Sequence, residues 1–147
     1  MKKKTIRTGI IGAGFAATFH FECLKKVHGT NVEVEGVFAT DTEQAKSYAK
    51  KRGIAVYDSL EKLIDKVDVI HVCTPPVAHE PIAAAALEKD KFAIVEKPLT
   101  GYFGDGSEDF NGDTFLKQDA LDHSLASISR MLEAETKSKG RILYAEN

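Results

Sequence analysis

Thr5 to Gly12 (TIRTGIIG) is a short apolar run that closes on glycine, and Gly12-Ala13-Gly14-Phe15-Ala16-Ala17 carries straight on from it. Such a run reads as a buried central strand, because a strand covered on both faces needs no polar alternation. Past the glycines, Ala16, Phe19, Cys23, Leu24 and Val27 recur at helical spacing, so the order is strand, tight turn, helix. The pattern G-x-G-x-x-A then has a physical reading. Gly12 takes the turn, Gly14 leaves the backbone open to close approach by a pyrophosphate, and Ala17 lets helix pack closely on strand. The helix N-terminus adds free N–H groups and a partial positive charge. A dinucleotide site is expected here, with an ordinary glycine-rich turn as the plain alternative.

The same strand and helix alternation continues along the chain. Val32 to Ala39 (VEVEGVFA) predicts a second strand, and Asp41 with Gln44 makes a capping-box start for a helix ending near Gly53. Ile54 to Tyr57 predicts a short third strand, followed by the cap pattern Asp58-Ser59-Leu60-Glu61 and a helix carrying Leu60, Leu63 and Ile64. Val67 to Cys73 (VDVIHVC) is β-branched and stops at Thr74-Pro75-Pro76, since prolines cannot continue a central ladder. Pro81 sits in the first turn of an alanine-rich helix through Leu87, and Phe92 to Val95 predicts a fifth strand.

Gly101 to Asp113 (GYFGDGSEDFNGD) has no period and reads as a long exposed loop. Its Asp105, Glu108, Asp109 and Asp113 miss the calcium-loop template, because Phe110 or Thr114 stands where a glycine is required, and no metal site is expected. Leu121, Leu125, Ile128 and Leu132 predict a long amphipathic helix capped by Gly140, with Arg141 to Ala145 as a sixth strand. Strands and helices in this rhythm predict an α/β fold: a doubly wound, mostly parallel Rossmann sheet with helices on both faces and strand order 3-2-1-4-5-6. Ligands of such sheets bind beyond the carboxyl ends of the strands.

Composition narrows the partners. The chain has 147 residues, 43% of them apolar, enough for one full core and the commonest size of a single domain. With 20 basic and 22 acidic residues the formal charge is −2, and no basic stripe interleaves with aromatics, so no nucleic-acid partner is expected. Cys23 and Cys73 fall inside apolar runs and read as buried thiols of a reducing compartment. The basic start Met1-Lys2-Lys3-Lys4 is followed by a stretch broken by Arg7 and Gly9 without a cleavage site, and no segment reaches the roughly 20 apolar residues of a membrane span. A cytoplasmic protein without a membrane partner is expected.

A dinucleotide site usually has an acid at the end of the second strand to accept from the ribose hydroxyls. Here Ala39 and Thr40 end the strand and Asp41 follows, as ribose ligand or as plain N-cap, while no arginine stands ready for a 2′-phosphate. NAD or NADP is therefore the cofactor, with a lean to NAD. Thr74-Pro75-Pro76-Val77-Ala78-His79 follows strand four and Glu96-Lys97-Pro98 follows strand five, so both border the predicted crevice. Taken alone, a Glu-Lys pair is more often a solvated surface pair and a histidine at a helix start more often a capping or core residue.

In combination, GAGFAA, CTPPVAH and VEKPLT, in this order and at these separations, resemble the Gfo/Idh/MocA family, named for glucose-fructose oxidoreductase and inositol dehydrogenase. The resemblance runs from Ile6 to about Thr100 and resumes more loosely over the last helix and strand. It implies that Gly12, Gly14, Phe15 and Ala16 lie along the pyrophosphate, that Thr74, Pro75 and His79 wall the cofactor, and that Glu96 and Lys97 reach the nicotinamide end. It also implies a Lys97–Pro98 bond that is often cis, and Lys97 as the catalytic residue, its ammonium stabilising charge on the substrate oxygen as hydride moves. An anchoring role in cofactor binding without proton transfer is the alternative for Lys97.

Residues 1–147 are thus expected to be the NAD(P)-binding domain of an oxidoreductase acting on a secondary alcohol or carbonyl of a sugar, cyclitol or similar polyol. The resemblance implies a further C-terminal α/β domain, absent from this chain, that holds the small-molecule substrate. Such a full-length protein is expected to be a homo-oligomer, and the isolated domain to turn over little. Two other readings stay open: a non-catalytic NAD(P)-sensing module, and a reductase or dehydrogenase of amino acids or tetrapyrroles.

Overall fold

In the computed structural model, the described residues are 4–104, 107 and 110–146. Asp105, Glu108 and Asp109, set aside above as metal ligands, lie outside them. The elements alternate: β1 (Thr5–Ile11), α1 (Phe15–Leu24), β2 (Asn31–Phe38), α2 (Thr42–Arg52), β3 (Ala55–Val56), α3 (Leu60–Lys66) and β4 (Val69–Val72). A 3-10 turn at Pro76–Ala78 leads into α4 (His79–Leu87), followed by β5 (Phe92–Glu96), α5 (Lys117–Thr136) and β6 (Ile142–Ala145). All strands pair parallel in one six-stranded sheet of order β3-β2-β1-β4-β5-β6. This is the Rossmann arrangement that the alternation predicts.

Side-chain alternation on the strands sends one set of residues to each face of the sheet. Ile11, Ile70, Val72, Ala93 and Val95 pack with Leu63, Ile64, Ile82, Ala83 and Met131 of α3, α4 and α5. On the other face Ile10, Val37 and Cys73 pack with Ala17, Phe21, Ala45, Tyr48 and Ala49 of α1 and α2. The two helices on that second face are stitched together: Tyr48 donates from its hydroxyl to the Ala17 carbonyl at 2.7 Å, and Arg52 donates to the Thr18 hydroxyl at 2.9 Å. Burial pushes the Tyr48 hydroxyl up to about 12. These contacts fix the start of α1 against the sheet, where the glycine turn lies.

Cap chemistry follows the sequence closely at α2 and α3. The Asp41 carboxylate accepts from Gln44 N–H at 2.9 Å and the Ser59 hydroxyl accepts from Lys62 N–H at 3.3 Å. Asp41→Ala is expected to lower stability by about 1 kcal/mol, with Asp41→Asn close to wild type because asparagine caps equally well. Thermal unfolding of the two variants checks this.

Several expectations need correction. Of the apolar stripe of α5 only Ile128 packs against the core: Leu121, Leu125 and Leu132 are about half exposed, and the helix buries Ser127 and Met131 instead. Met131 fills the core against Ile82, Ala83 and Ala86 of α4, and Arg130 clamps Glu80 with two hydrogen bonds. The stripe read along α1 is likewise rotated. Phe19 and Cys23 are exposed while Ala17, His20 and Phe21 are buried, and Val27 lies beyond the helix. Cys23 is therefore an exposed thiol, and only Cys73 is a buried one, its thiol raised to about 12 by burial and then by the nearby Glu96 charge.

Gly140 is not the cap of α5, which closes at Lys137. It is a contact glycine: a Cβ there would fall against the Lys91 carbonyl oxygen, where β6 joins the sheet beside β5. Residues 114–116 stay outside any helix or strand, so α5 begins at Lys117 rather than directly after Asp113. Among the described residues, no helix is long and apolar enough to cross a membrane, and no group of three or more His, Cys, Asp or Glu side chains is placed to hold a metal ion.

Candidate cofactor site

β1 delivers Gly12 to the carboxyl edge of the sheet between its two neighbours. Gly12 N–H donates to the Phe38 carbonyl of β2 at 2.8 Å, and Cys73 N–H, just past β4, donates to the Ile11 carbonyl at 2.8 Å. At φ 99° the chain turns in a way that favours glycine, and a Cβ would sit 2.5 Å from the Cys73 carbonyl oxygen. Gly14 differs. Its backbone is extended (φ −89°, ψ −157°), and a Cβ would meet nothing within 4 Å, so the space above it is open.

That space belongs to a cavity of about 290 Å³ lined by Gly12, Gly14, Thr40, Asp41, Thr74 and Pro75, among others. It spans the carboxyl ends of β1, β2 and β4, where an open α/β sheet binds its ligands. The first hydrogen bond of α1 runs from Thr18 N–H to the Gly14 carbonyl, and by helix geometry the N–H groups of Phe15, Ala16 and Ala17 have no intrahelical partner. Phe15 and Ala16 are thus candidates through the backbone, since the Phe15 ring is 86% exposed.

Two observations fit a dinucleotide with its pyrophosphate over the turn. Gly14 forms a cradle that any side chain would fill, and the buried Thr74 hydroxyl, on the cavity wall, has no hydrogen-bond partner. Asp41 spends one carboxylate oxygen on the cap of α2 and is otherwise exposed at the cavity edge. No lysine or arginine lines this cavity among the described residues. The nearest cation along the chain, Lys46, lies in an adjoining cavity and pairs with Glu43 at 2.8 Å.

His79 and Glu96 each have internal partners. His79, expected as a wall residue, stands behind the wall with no exposure. Its Nε2 lies 2.9 Å from the Thr74 carbonyl oxygen and its Nδ1 lies 3.1 Å from that of Pro98. The ring bridges the loop after β4 to the loop after β5. Lys97 is exposed at the edge of the sheet, follows β5 directly and precedes a cis bond to Pro98, as the resemblance implies.

Glu96 turns to the other side of β5. Its Oε1 lies 2.8 Å from Nε2 of His20, its Oε2 accepts from Lys97 N–H at 3.1 Å, and Nδ1 of His20 lies 2.8 Å from Nδ1 of His71. Glu96, His20 and His71 border a second cavity of about 370 Å³, away from the glycine turn, lined also by Phe19, Cys23 and Ile94. Sequence reading missed His20 and His71. A histidine on the inner face of α1 and another inside the β-branched run of β4 were the available signals, and each was passed over for the apolar residues around it.

Burial, and then the neighbouring His20, holds His71 down to about 3. The unfolded chain therefore takes up a proton between pH 6.5 and 3 that the folded chain refuses, and stability falls as pH drops through that window. By this group alone about 2 kcal/mol is expected to be lost between pH 7.5 and pH 5. Urea unfolding at the two pH values checks it, with His71→Leu expected to flatten the dependence.

With this geometry in view, the likeness to known proteins is specific. Residues 6–109 match the Gfo/Idh/MocA family, described as an oxidoreductase family with an NAD-binding Rossmann fold. The chain is 33% identical over 93 residues to glucose-6-phosphate 3-dehydrogenase of Bacillus subtilis, covering 63% of this chain and 26% of that protein. It is 31% identical over 146 residues to inositol 2-dehydrogenase 1 of Paenarthrobacter aurescens, covering 95% of this chain and 41% of that protein. Among solved structures, the WlbA dehydrogenase of Bordetella pertussis in complex with NADH and UDP-GlcNAcA superposes with a TM-score of 0.76. That match has 18% identity over 99% of this chain and 36% of the other, a likeness of fold alone. The chain thus spans well under half the length of these proteins.

Proposed function

Because this chain belongs to the Gfo/Idh/MocA family of oxidoreductases with an NAD-binding Rossmann fold, we propose that it is the cofactor half of a dehydrogenase acting on a secondary alcohol or carbonyl of a sugar, cyclitol or similar polyol. The observation that carries the reading is the Gly12 to Gly14 turn, whose open cradle meets the start of α1 and the unpartnered Thr74 hydroxyl in one cavity. The N–H groups of Phe15, Ala16 and Ala17 hold the pyrophosphate, in the field of the helix start. The Thr74 hydroxyl donates to the cofactor, and Pro75 shapes the wall beside it. Asp41 accepts from the ribose hydroxyls through the oxygen it does not use as a cap, and Thr40 lies beside it.

Cofactor choice leans to NAD. A 2′-phosphate would meet the Asp41 carboxylate in a cavity with no lining cation among the described residues, and that repulsion disfavours NADP. The bound dinucleotide supplies hydride transfer. Lys97, at the end of β5, directs its ammonium to the substrate oxygen and stabilises the charge that grows there. His79 keeps the Thr74 and Pro98 loops at a fixed separation, so that the cofactor wall and Lys97 act on the same space.

The substrate itself is held by a second α/β domain of the kind the longer relatives have room for, and the full-length protein is a cytoplasmic homo-oligomer. The polyol class follows from relatives named as sugar-phosphate and inositol dehydrogenases. The sensor reading is disfavoured, since a module that only binds NAD(P) has no use for a lysine at the end of β5.

Calorimetric titration of this chain with NAD, NADH, NADP and NADPH tests the reading. Saturable binding is expected, tighter for the pair without the 2′-phosphate, and binding to none of the four overturns it. In the full-length protein, Lys97→Ala is expected to lower kcat by about 10²- to 10³-fold with a smaller effect on NADH affinity. An unchanged kcat removes Lys97 from the chemistry.

A further inference from the structure

The buried polar groups of the second cavity are arranged as a directed chain. His71 on β4 is 5% exposed and His20 on α1 is 8% exposed, and their rings meet edge to face with centroids 5.1 Å apart. Two Nδ1 atoms at 2.8 Å share a single proton, so one ring donates and the other accepts. His20 Nε2 faces only the Glu96 carboxylate, which accepts, so that nitrogen carries its proton. With His71 donating from Nδ1, every step has the right sense. His71 Nδ1–H donates to His20 Nδ1, His20 Nε2–H donates to Glu96 Oε1, and Lys97 N–H donates to Glu96 Oε2.

Such a chain is costly to bury, and both imidazoles share their cavity wall with the apolar side chains of Phe19, Leu24, Val27 and Ile94. Its end point gives it a use. Glu96 makes no ion pair with the Lys97 ammonium and instead grips the peptide N–H of that residue, one bond from the Cα that aims the side chain. We propose that His71 and His20 are positioning residues for Lys97: they lock the Glu96 carboxylate, and the carboxylate locks the backbone from which Lys97 reaches the substrate oxygen. The proposal rests on the reading of Lys97 as the polar catalyst. His71 contributes by donating to His20 Nδ1, which leaves the His20 proton on Nε2, where the Glu96 carboxylate accepts it.

The test uses the cofactor-free chain and then the chain with NADH. Nitrogen-15 spectra of the imidazoles are expected to show His20 as the Nε2–H tautomer in the wild type and as a tautomer mixture in His71→Leu. In His20→Ala, amide exchange at Lys97 is expected to rise tenfold or more while Ala93 and Val95 in the same strand keep their rates. His20→Gln, whose side-chain amide reaches the Glu96 carboxylate as a donor, is expected to restore most of the protection. Unchanged exchange at Lys97, a rise shared equally along β5, or no rescue by glutamine overturns the proposal. The Lys97 reading is judged separately by the Lys97 Cε shift on adding NADH to the wild type. If that shift fails while the exchange pattern holds, the chain positions Lys97 but the catalytic reading is wrong.

Discussion

Gly14→Val is expected to weaken dinucleotide binding by about a hundredfold or more, a loss of roughly 3 kcal/mol in affinity, while the folded state barely changes. The two halves of this result have separate causes. The added isopropyl group would enter the open space above the turn, where nothing lies within 4 Å, so no protein atom has to move. The backbone at φ −89° and ψ −157° is one that a β-branched residue adopts without strain. Only the N-cap position is disfavoured, by about 1 kcal/mol or less. The ligand has no such freedom, because the pyrophosphate must come within hydrogen-bond distance of the N–H groups of the next residues, and the valine methyls occupy that approach. Titration calorimetry with NADH and a thermal melt, run on the same sample, separate the two quantities. Full affinity in the variant would move the cofactor away from this turn.

The sheet was legible in the sequence because its central strands are buried on both faces. Ile10, Ile11, Val37, Ile70, Val72 and Val95 read as continuous apolar runs, and their order follows from the right-handed crossovers of parallel strands. The glycine turn and the two helix caps were legible for a related reason: each depends on backbone geometry that few residue types serve. Helix faces were much less legible. On α5 Ser127 and Met131 are buried and Ile128 packs beside them, while three leucines stay half exposed, because the face turned inward is set by contact with α4 and by the Arg130–Glu80 clamp, whose partners lie 50 residues apart.

The site shows the same division. Gly12, Gly14, Thr40, Asp41, Thr74 and Pro75 meet around one cavity because all stand at strand ends, a placement that topology determines. Glu96 ends β5 and His79 opens α4 beyond the same edge, yet each side chain takes an internal partner. The Thr74 carbonyl is local to His79, but the Pro98 carbonyl and, for Glu96, the His20 ring lie 19 and 76 residues away, and local sequence carries no sign of them. His20 is the sharper case. A histidine scores as polar on a helix face, and only the His71 and Glu96 partners, 51 and 76 residues away, make its burial favourable.

Gly12→Ala is expected to act in the opposite way to Gly14→Val, destabilising the fold by about 3 to 5 kcal/mol, a large part of the total stability of a domain this size. Three strand ends meet at this residue. Its N–H holds β2 through the Phe38 carbonyl, and the Ile11 carbonyl just before it accepts from Cys73 N–H past β4. A methyl group at φ 99° brings backbone strain of roughly 1 to 3 kcal/mol by itself. It also sets a Cβ 2.5 Å from the Cys73 carbonyl oxygen, a backbone atom just past β4 that cannot swing aside as a flexible side chain would. Relief requires β1 and β4 to part at their carboxyl ends, which stretches the bond from Cys73 N–H to the Ile11 carbonyl and opens the floor of the cavity. Urea unfolding is expected to show a midpoint far below that of Gly14→Val, and NADH is expected to recover part of the loss by mass action, because only the folded chain binds it. A midpoint for Gly12→Ala close to wild type would mean that the turn has room the present geometry denies it. Recovery by NADH in Gly12→Ala together with none in Gly14→Val would separate the glycine that builds the turn from the glycine that receives the ligand.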